Sequence, residues 1–290
     1  LEILTMSDKI KITETFYALQ GEGRYTGVPS IFLRTFGCNF TCSGFGMPKG
    51  ELSNERNLIA ISGAKKLEDL PLVTTGCDSY AAWDPRFKKF SPMMTVDEIA
   101  TKITELLPFN EWRDEHLVIT GGEPLLGWQR SFPALLEHEK MKNLKELTFE
   151  TNGTQFLAEN FKEYLEEWSC PKTYQGFEKE ITFSVSPKLS CSGQTREEAI
   201  KPEIVVQYQN VGTTYLKFVV ATEEDISEAL EVIQLYRAAG FTGHVYLMPV
   251  GGVEEVYYLN NRNVAEAAMK HGLRYSDRLH LSLFGNKWGT

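Results

Sequence analysis

The sequence predicts an α/β protein in which a parallel sheet with crossover helices curls into a full or partial barrel. Three observations carry that expectation. Short apolar runs bounded by turn residues alternate with stretches of helical periodicity. The alternation continues along most of the 290 residues, as right-handed crossover units require. Polar residues suited to chemistry fall where the apolar runs end, which is the catalytic end of such sheets.

The first strand is expected at residues 29–36, PSIFLRTF. A helix follows at 95–107, where Thr95 and Glu98 form a capping box and Val96, Ile99, Ala100, Ile103 and Leu107 share a face. Next come a strand at 116–120, a helix from 124 to about 140, a strand at 146–150, a helix at 155–168 and strands at 180–186 and 214–221. In the helix expected at 223–239, Ile226, Ala229, Leu230, Ile233 and Tyr236 lie on one side and Gly240 stands ready to end it. A strand at 244–248, a helix at 263–271 closed by Gly272 and an extended piece at 279–284 complete the chain. Residues 43–76 mix Gly, Pro, Lys and Glu without sustained periodicity and read as an insertion in one domain spanning 6–290. Leu1 to Thr5 precede Met6 and read as a remnant or an upstream extension.

Composition narrows the function. Thirty basic against thirty-nine acidic residues give a formal charge of −9, which argues against a nucleic-acid partner. There is no run of about eighteen apolar residues and no secretory order at the N-terminus, so no membrane partner and a cytoplasmic location are expected. The five cysteines, Cys38, Cys42, Cys77, Cys170 and Cys191, are an odd number, and metal or redox chemistry is a better expectation than a disulfide framework. Cys170 and Cys191 stand apart from the other three and read as small buried hydrophobes.

Cys38 and Cys42 sit in FGCNFTC, directly after the first strand, and Cys77 opens CDSYAAWD thirty-four residues later. Three thiolates on a cubane iron–sulfur cluster leave one iron without a protein ligand, much as a catalytic zinc site keeps an open position. The competing reading makes Cys77 incidental and the cluster absent or incomplete. Thr120-Gly121-Gly122-Glu123-Pro124 ends the second strand. Its glycines suit either a close backbone approach to a ligand or a plain strand-to-helix turn. Glu150 and Asn152 in ETNG suit a ligand's hydroxyls or a capped turn.

FGCNFTC, the later CDSYAAWD, TGGEP and FETNGT together resemble the radical S-adenosylmethionine superfamily. The N-terminal YALQGEGRYTGVPSIFLRTFGCN is similar to its 7-carboxy-7-deazaguanine synthase branch, and the similarity continues through FSVSPKLS, TYLKFVV, VYLMPV and RLHLSLFGNKWG. The resemblance implies a partial (β/α)6 barrel with a loop insertion between the second and third cluster cysteines. It assigns a [4Fe-4S] cluster to Cys38, Cys42 and Cys77, whose usual spacing is interrupted here by that insertion. S-adenosylmethionine would chelate the open iron and be cleaved to a 5′-deoxyadenosyl radical. Its binding is assigned to Gly121, Gly122, Glu123, Glu150, Asn152, Ser186, Pro187 and Lys188, with Lys217 and Met248 as weaker candidates.

For the substrate, the resemblance points to Leu19, Gln20, Gly21 and Glu22, to Arg34 as a fork for a carboxylate, and to Thr120 and His280. Ser79, two places after the last cluster cysteine, would supply a hydroxyl to Mg2+, where the branch often has threonine. The implied reaction converts 6-carboxy-5,6,7,8-tetrahydropterin to 7-carboxy-7-deazaguanine with loss of ammonia, for queuosine or modified-DNA biosynthesis. A homodimer and an electron donor such as flavodoxin or ferredoxin are implied with it. The insertion would cover the cluster, contact that donor or extend a dimer interface. Two other classes stay open: an activating enzyme for a glycyl-radical partner, which needs neither LQGEG nor Arg34, and a non-catalytic zinc or cluster-binding module, which needs a fourth protein ligand.

Overall fold

The computed structural model describes residues 8–169, 179–285 and 287–289. Strands β1 (Lys9–Leu19), β2 (Pro29–Thr35) and β3 (Met93–Thr95) precede helix α1 (Val96–Leu106), then β4 (His116–Gly121), α2 (Phe132–Leu136), β5 (Glu146–Thr151) and α3 (Glu159–Trp168). The second half runs β6 (Glu180–Val185), α4 (Arg196–Ala199), α5 (Pro202–Val211), β7 (Thr213–Val220), α6 (Glu223–Ala238), β8 (Val245–Pro249), α7 (Glu254–Lys270), β9 (Arg274–Tyr275) and α8 (Leu279–Phe284). The strands form one sheet in the order β3-β1-β2-β4-β5-β6-β7-β8-β9. From β2 to β9 every pairing is parallel, while β1 and β3 join antiparallel at the edge.

Register decides what the site contains. Side chains alternate across a strand, so one face carries Leu33, Ile119, Phe149, Phe183, Phe218 and Leu247, all fully buried. That face meets the helices through an aromatic stack. Phe149 lies 5.7 Å from Phe132 of α2, 6.0 Å from Phe161 of α3 and 5.6 Å from Phe183, which stacks in turn on Tyr208 of α5 at 4.7 Å. Each such ring buries enough apolar surface to contribute a few kcal/mol, about 1.5–3 for a complete burial. The opposite face brings Arg34 beside Thr120, and Glu150 beside Ser184, near the carboxyl ends. At the amino ends a polar plug closes that inner face: His116 is held by Thr148 (2.8 Å) and Ser30 (3.3 Å) and covered by the Tyr25 ring at 4.2 Å.

Several expected elements differ. Strands β1 and β3 are not among the expected elements, and together they form the sheet's antiparallel end, with β3 at the edge. The helix expected from 124 to about 140 is confined to α2 and a short 3-10 turn at Glu139–Met141, because the turn that begins at Gly122 continues through Trp128, whose indole donates to Phe36 O at 3.0 Å. Helix α3 starts four residues later than expected, α7 starts at Glu254 rather than 263, and α5 was not expected at all. Residues 279–284, expected as extended, form α8, with Leu281 its buried residue. The capping box at Thr95 and Glu98 is present as read. Cys170 lies outside the described residues. Among the described residues, no helix is long and apolar enough to cross a membrane.

Candidate active site

One cavity opens at the carboxyl ends of the parallel strands, and Cys38, Cys42 and Cys77 all line it. The first two follow β2 in a loop held from both sides. Gly37 N–H donates to Ala82 O at 2.8 Å, and Gly37 O accepts from Glu123 N–H at 2.7 Å. Thirty-four residues separate Cys42 from Cys77, yet the detour closes on itself at its neck. Gly76 N–H donates to Phe45 O at 2.7 Å and Ser53 N–H to Ser43 O at 2.7 Å. The Glu55 carboxylate accepts both backbone N–H groups and both hydroxyls of Thr74 and Thr75, at 2.9 to 3.0 Å.

The insertion also has a core of its own, in which Leu67, Leu70 and Val73 pack with Tyr80, Ala81 and Phe87. Trp288 seals it, donating its indole N–H to Leu70 O at 2.9 Å. Cys77 thereby lines the same cavity as Cys38 and Cys42.

The donor set suits a cluster. Cys38, Cys42 and Cys77 are free thiols. Among the described residues no group of three His, Cys, Asp or Glu side chains is gathered tightly enough for a single metal ion. A cubane places less demand on convergence, since each thiolate binds a separate iron. Phe40 N–H donates to Cys38 Sγ at 3.4 Å and Trp83 Nε1–H to Cys77 Sγ at 3.3 Å, both favouring sulfur in its charged form. Without metal, burial pushes the Cys38 thiol up to about 12, with the Phe40 N–H offsetting part of the rise; iron binding releases those protons.

The turn after β4 meets the cysteine loop with no room to spare. A Cβ on Gly122 would lie 2.4 Å from Gly37 O and 2.7 Å from Cys38 Cβ, and one on Gly121 would lie 2.4 Å from Thr35 O. Gly121 also has φ +154°, whereas Gly122 has no positive φ, so the demand at Gly122 is purely one of approach. Glu123, assigned to cofactor contact by the resemblance, does not line the cavity. Its buried carboxylate accepts from Asn152 N–H (2.6 Å), Leu125 N–H (3.0 Å) and the Thr151 hydroxyl (2.8 and 2.9 Å), tying the β4 turn to the end of β5. Burial pushes Glu123 up to about 7, and those hydrogen bonds only partly offset the rise. Pro187 likewise stays out of the cavity lining.

Asn152 lines the cavity while its side chain is engaged within the protein, donating to Asn39 Oδ1 at 2.9 Å and accepting from Thr154 N–H at 3.1 Å. Glu150 faces the cavity and accepts from Gln20 Nε2 at 3.1 Å. Ser186 and Lys188 line it together, with Lys188 Nζ donating to Ser186 Oγ at 2.9 Å. Met248 borders the same space. Cys191, expected as a buried hydrophobe, is only partly buried and points its sulfur at Val219 O, 3.6 Å away.

Leu19, Gln20, Gly21 and Glu22 form another wall of the cavity, with Thr120 and His280 also lining it. A side chain at Gly21 would strike His280 Nδ1, 2.1 Å from the Cβ position. Burial, with Arg278 next in weight, pushes His280 down to about 4, so its ring is neutral at physiological pH.

Lys217, a candidate for the cofactor, lines the cavity and pairs with Glu22, and Arg278 Nε reaches the other Glu22 oxygen at 2.9 Å. Arg278 also pairs with Asp78 at 2.9 Å and donates to Gly251 O. Burial alone would raise Glu22; Lys217 and Arg278 overcome it and hold the carboxyl well below the usual carboxylate range.

Arg34 faces Glu14 across the β1–β2 ladder and donates to it at 3.1 Å. Its Nη1 donates to Ser79 Oγ at 3.1 Å, and that hydroxyl donates to Asp78 Oδ1 at 3.2 Å. Asp78, Glu14 and Arg278 were not among the expected residues. Arg278 stands two places before His280 in RLHLSLFGNKWG, and Asp78 directly follows Cys77, so both lay within segments already carrying the resemblance.

No family model matches the chain. Curated relatives match along nearly its whole length. The 7-carboxy-7-deazaguanine synthase of Halobacterium salinarum is 29% identical, with 96% of this chain and 91% of that protein covered. The synthase of Pyrobaculum aerophilum is 26% identical, with 99% and 100% covered. Among solved structures, QueE from Escherichia coli superposes with a TM-score of 0.56 at 20% identity, covering 97% of this chain and 99% of that one, which shows a shared fold.

Proposed function

We propose that this chain is a radical S-adenosylmethionine enzyme of the 7-carboxy-7-deazaguanine synthase type, a lyase that contracts the ring of 6-carboxy-5,6,7,8-tetrahydropterin and releases ammonia. One observation carries the reading: Cys38, Cys42 and Cys77 open onto the same cavity as the LQGE segment, Arg34 and the Gly121-Gly122 turn, despite the insertion that separates the cysteines. The relatives that match over nearly the full chain support it.

Cys38, Cys42 and Cys77 would hold a [4Fe-4S] cluster with one iron open to S-adenosylmethionine; when bound, that pair supplies the one-electron chemistry that breaks a C–H bond of the substrate. The chain's own residues bind, orient and exclude. Gly122 lets the β4 turn seat against the cysteine loop, where any larger residue would collide with Gly37 O. Glu150, Ser186 and Lys188 offer polar atoms at adjacent strand ends for the cofactor's hydroxyl and carboxylate groups. Arg34, anchored by Glu14, directs its guanidinium into the cavity and suits a carboxylate such as that of the substrate.

Gln20 and the ionised Glu22 present acceptors suited to the N–H edge of a pterin. Ser79 Oγ would give Mg2+ its protein oxygen, because a hydroxyl that accepts from Arg34 keeps a second lone pair. A homodimer, a reducing cytoplasmic setting and an electron donor of the flavodoxin or ferredoxin kind complete the proposal. The test is anaerobic reconstitution with iron and sulfide, followed by product analysis from the carboxy-tetrahydropterin with S-adenosylmethionine and dithionite. Formation of 7-carboxy-7-deazaguanine and ammonia is expected. Reconstituted protein that leaves the pterin intact but generates a glycyl radical on a partner would replace this reading with the activating-enzyme one.

A further inference from the structure

The insertion has a feature that its length alone does not require. Trp83 directs its indole N–H at Cys77 Sγ, 3.3 Å away. Over the face of that indole lies the guanidinium of Arg56, 4.7 Å from the ring centroid. Arg56 belongs to the insertion, in a 3-10 turn at Glu55–Leu58, and its fork is fixed at two further points. Nη1 donates to Ser43 Oγ at 2.8 Å, and Nε donates to Asp84 Oδ2 at 3.2 Å. Ser43 directly follows Cys42, and Asp84 directly follows Trp83. A single guanidinium therefore touches the neighbour of the second cysteine, the indole bonded to the third, and the residue beside that indole.

We infer that Arg56 and Trp83 form a clasp by which the insertion positions the third cluster ligand and raises the reduction potential of the cluster it would hold. This rests on the cluster reading above. Hydrogen bonds to ligating sulfurs draw charge from them and favour the more electron-rich state of a cluster. A cation over an aromatic face is attracted to its π electrons, and by withdrawing density it makes the indole N–H a better donor to Cys77. The same contacts hold Cys42 and Cys77 at a set separation, since Ser43 and Asp84 are both pulled onto one rigid fork. Neither Trp83 nor Arg56 needs to touch substrate or cofactor for this; both act through Cys77.

The test compares wild type, Trp83→Phe, Arg56→Gln and Arg56→Lys after anaerobic reconstitution and without S-adenosylmethionine, by iron content and by a redox titration of the reduced-cluster EPR signal. Circular dichroism and thermal melting check the fold. Trp83→Phe keeps the ring and removes the donor, and the expected loss is about tenfold in the reduced-to-oxidised ratio at fixed potential, a fall of about 59 mV for a one-electron couple. Arg56→Gln moves the midpoint the same way by a smaller amount, and Arg56→Lys, which keeps the charge but not the fork, gives back only part of it. A folded Trp83→Phe protein that takes up less iron than wild type supports the positioning role, and Arg56→Gln then carries the potential measurement. Full iron and an unchanged midpoint in both Trp83→Phe and Arg56→Gln overturn the inference. Wild type that takes up no cluster overturns the functional reading instead, so the two failures are distinguishable.

Discussion

Replacing Gly122 by alanine tests how the site is assembled. The added methyl would sit 2.4 Å from Gly37 O, 2.7 Å from Cys38 Cβ and 2.8 Å from Gly37 C, so it meets backbone and a ligand's first carbon rather than a side chain free to swing away. Restoring an ordinary contact of about 3.5 Å means parting the β4 turn from the cysteine loop by about 1 Å. That movement strains the 2.7 Å hydrogen bond from Glu123 N–H to Gly37 O. Overpacking of this kind typically costs about 1–3 kcal/mol. For a chain of this size that lowers Tm by roughly 2–9 °C, using about 2–3 °C per kcal/mol.

Because Cys38 is displaced, iron uptake falls as well. The control is Gly127→Ala in the same turn region, where the new Cβ meets nothing within 4 Å. Differential scanning calorimetry of the metal-free proteins and iron analysis after reconstitution give the answer. A Gly122→Ala protein that melts with wild type and binds a full cluster would refute the close-approach argument.

The other predictions follow from single contacts. Ser79→Ala removes the hydroxyl that accepts from Arg34 and donates to Asp78, and under the proposal that this oxygen binds Mg2+ the concentration of Mg2+ needed for half-maximal turnover rises; an unchanged magnesium titration would refute that role. Phe149→Ala takes a ring out of contact with Phe132, Phe161 and Phe183 and should destabilise by about 3–5 kcal/mol in urea unfolding; a loss below about 1 kcal/mol would contradict the packing described. His116 is held neutral, pushed down to about 3 by burial, so its contribution is present above its unfolded value of about 6.5 and is lost as pH falls towards 3. Glu123, pushed up to about 7, acts with the opposite sign, losing stability as pH rises through that value, so the informative quantity is wild type minus His116→Gln. That difference should shrink by about 1.4 kcal/mol per pH unit between pH 6.5 and 4.5 in urea titrations; a constant difference would show His116 free to protonate in the folded state.

Much of the fold was legible because periodicity and capping agree. The strand before Cys38, the capped helix α1 and the long helix α6 are strong local signals that tertiary structure has no reason to override. Strand β1 was readable in principle, since Ile10 and Ile12 alternate with polar neighbours, but Lys, Thr and Glu dilute the pattern. In α5, Ile204, Val205, Tyr208 and Val211 form a helical face behind Pro202, a start signal that the short run VVQY, which also suits a strand, works against. The run LHLSLF alternates as a strand would, and a six-residue stretch cannot by itself tell the two periods apart.

At the site, the cysteines and glycines announce themselves by type and spacing. The Glu22–Lys217–Arg278–Asp78 network does not, because it joins residues up to 256 positions apart and depends on register and on the return of the C-terminal segment. Glu123 reads as a ligand from its motif, yet the backbone N–H groups of Leu125 and Asn152 claim it first.

Under the proposed function, Cys38, Cys42 and Cys77 hold one cluster and leave an iron open toward the cavity that Gln20, Glu22 and Arg34 line. Its most direct test is EPR spectroscopy of the reduced, reconstituted protein with and without S-adenosylmethionine, alongside Cys77→Ala. About four irons per chain are expected, as a cubane requires, with a spectrum that changes when the cofactor is added and loss of the cluster in the variant. A four-iron cluster that ignores S-adenosylmethionine, or one that survives in Cys77→Ala, would contradict it.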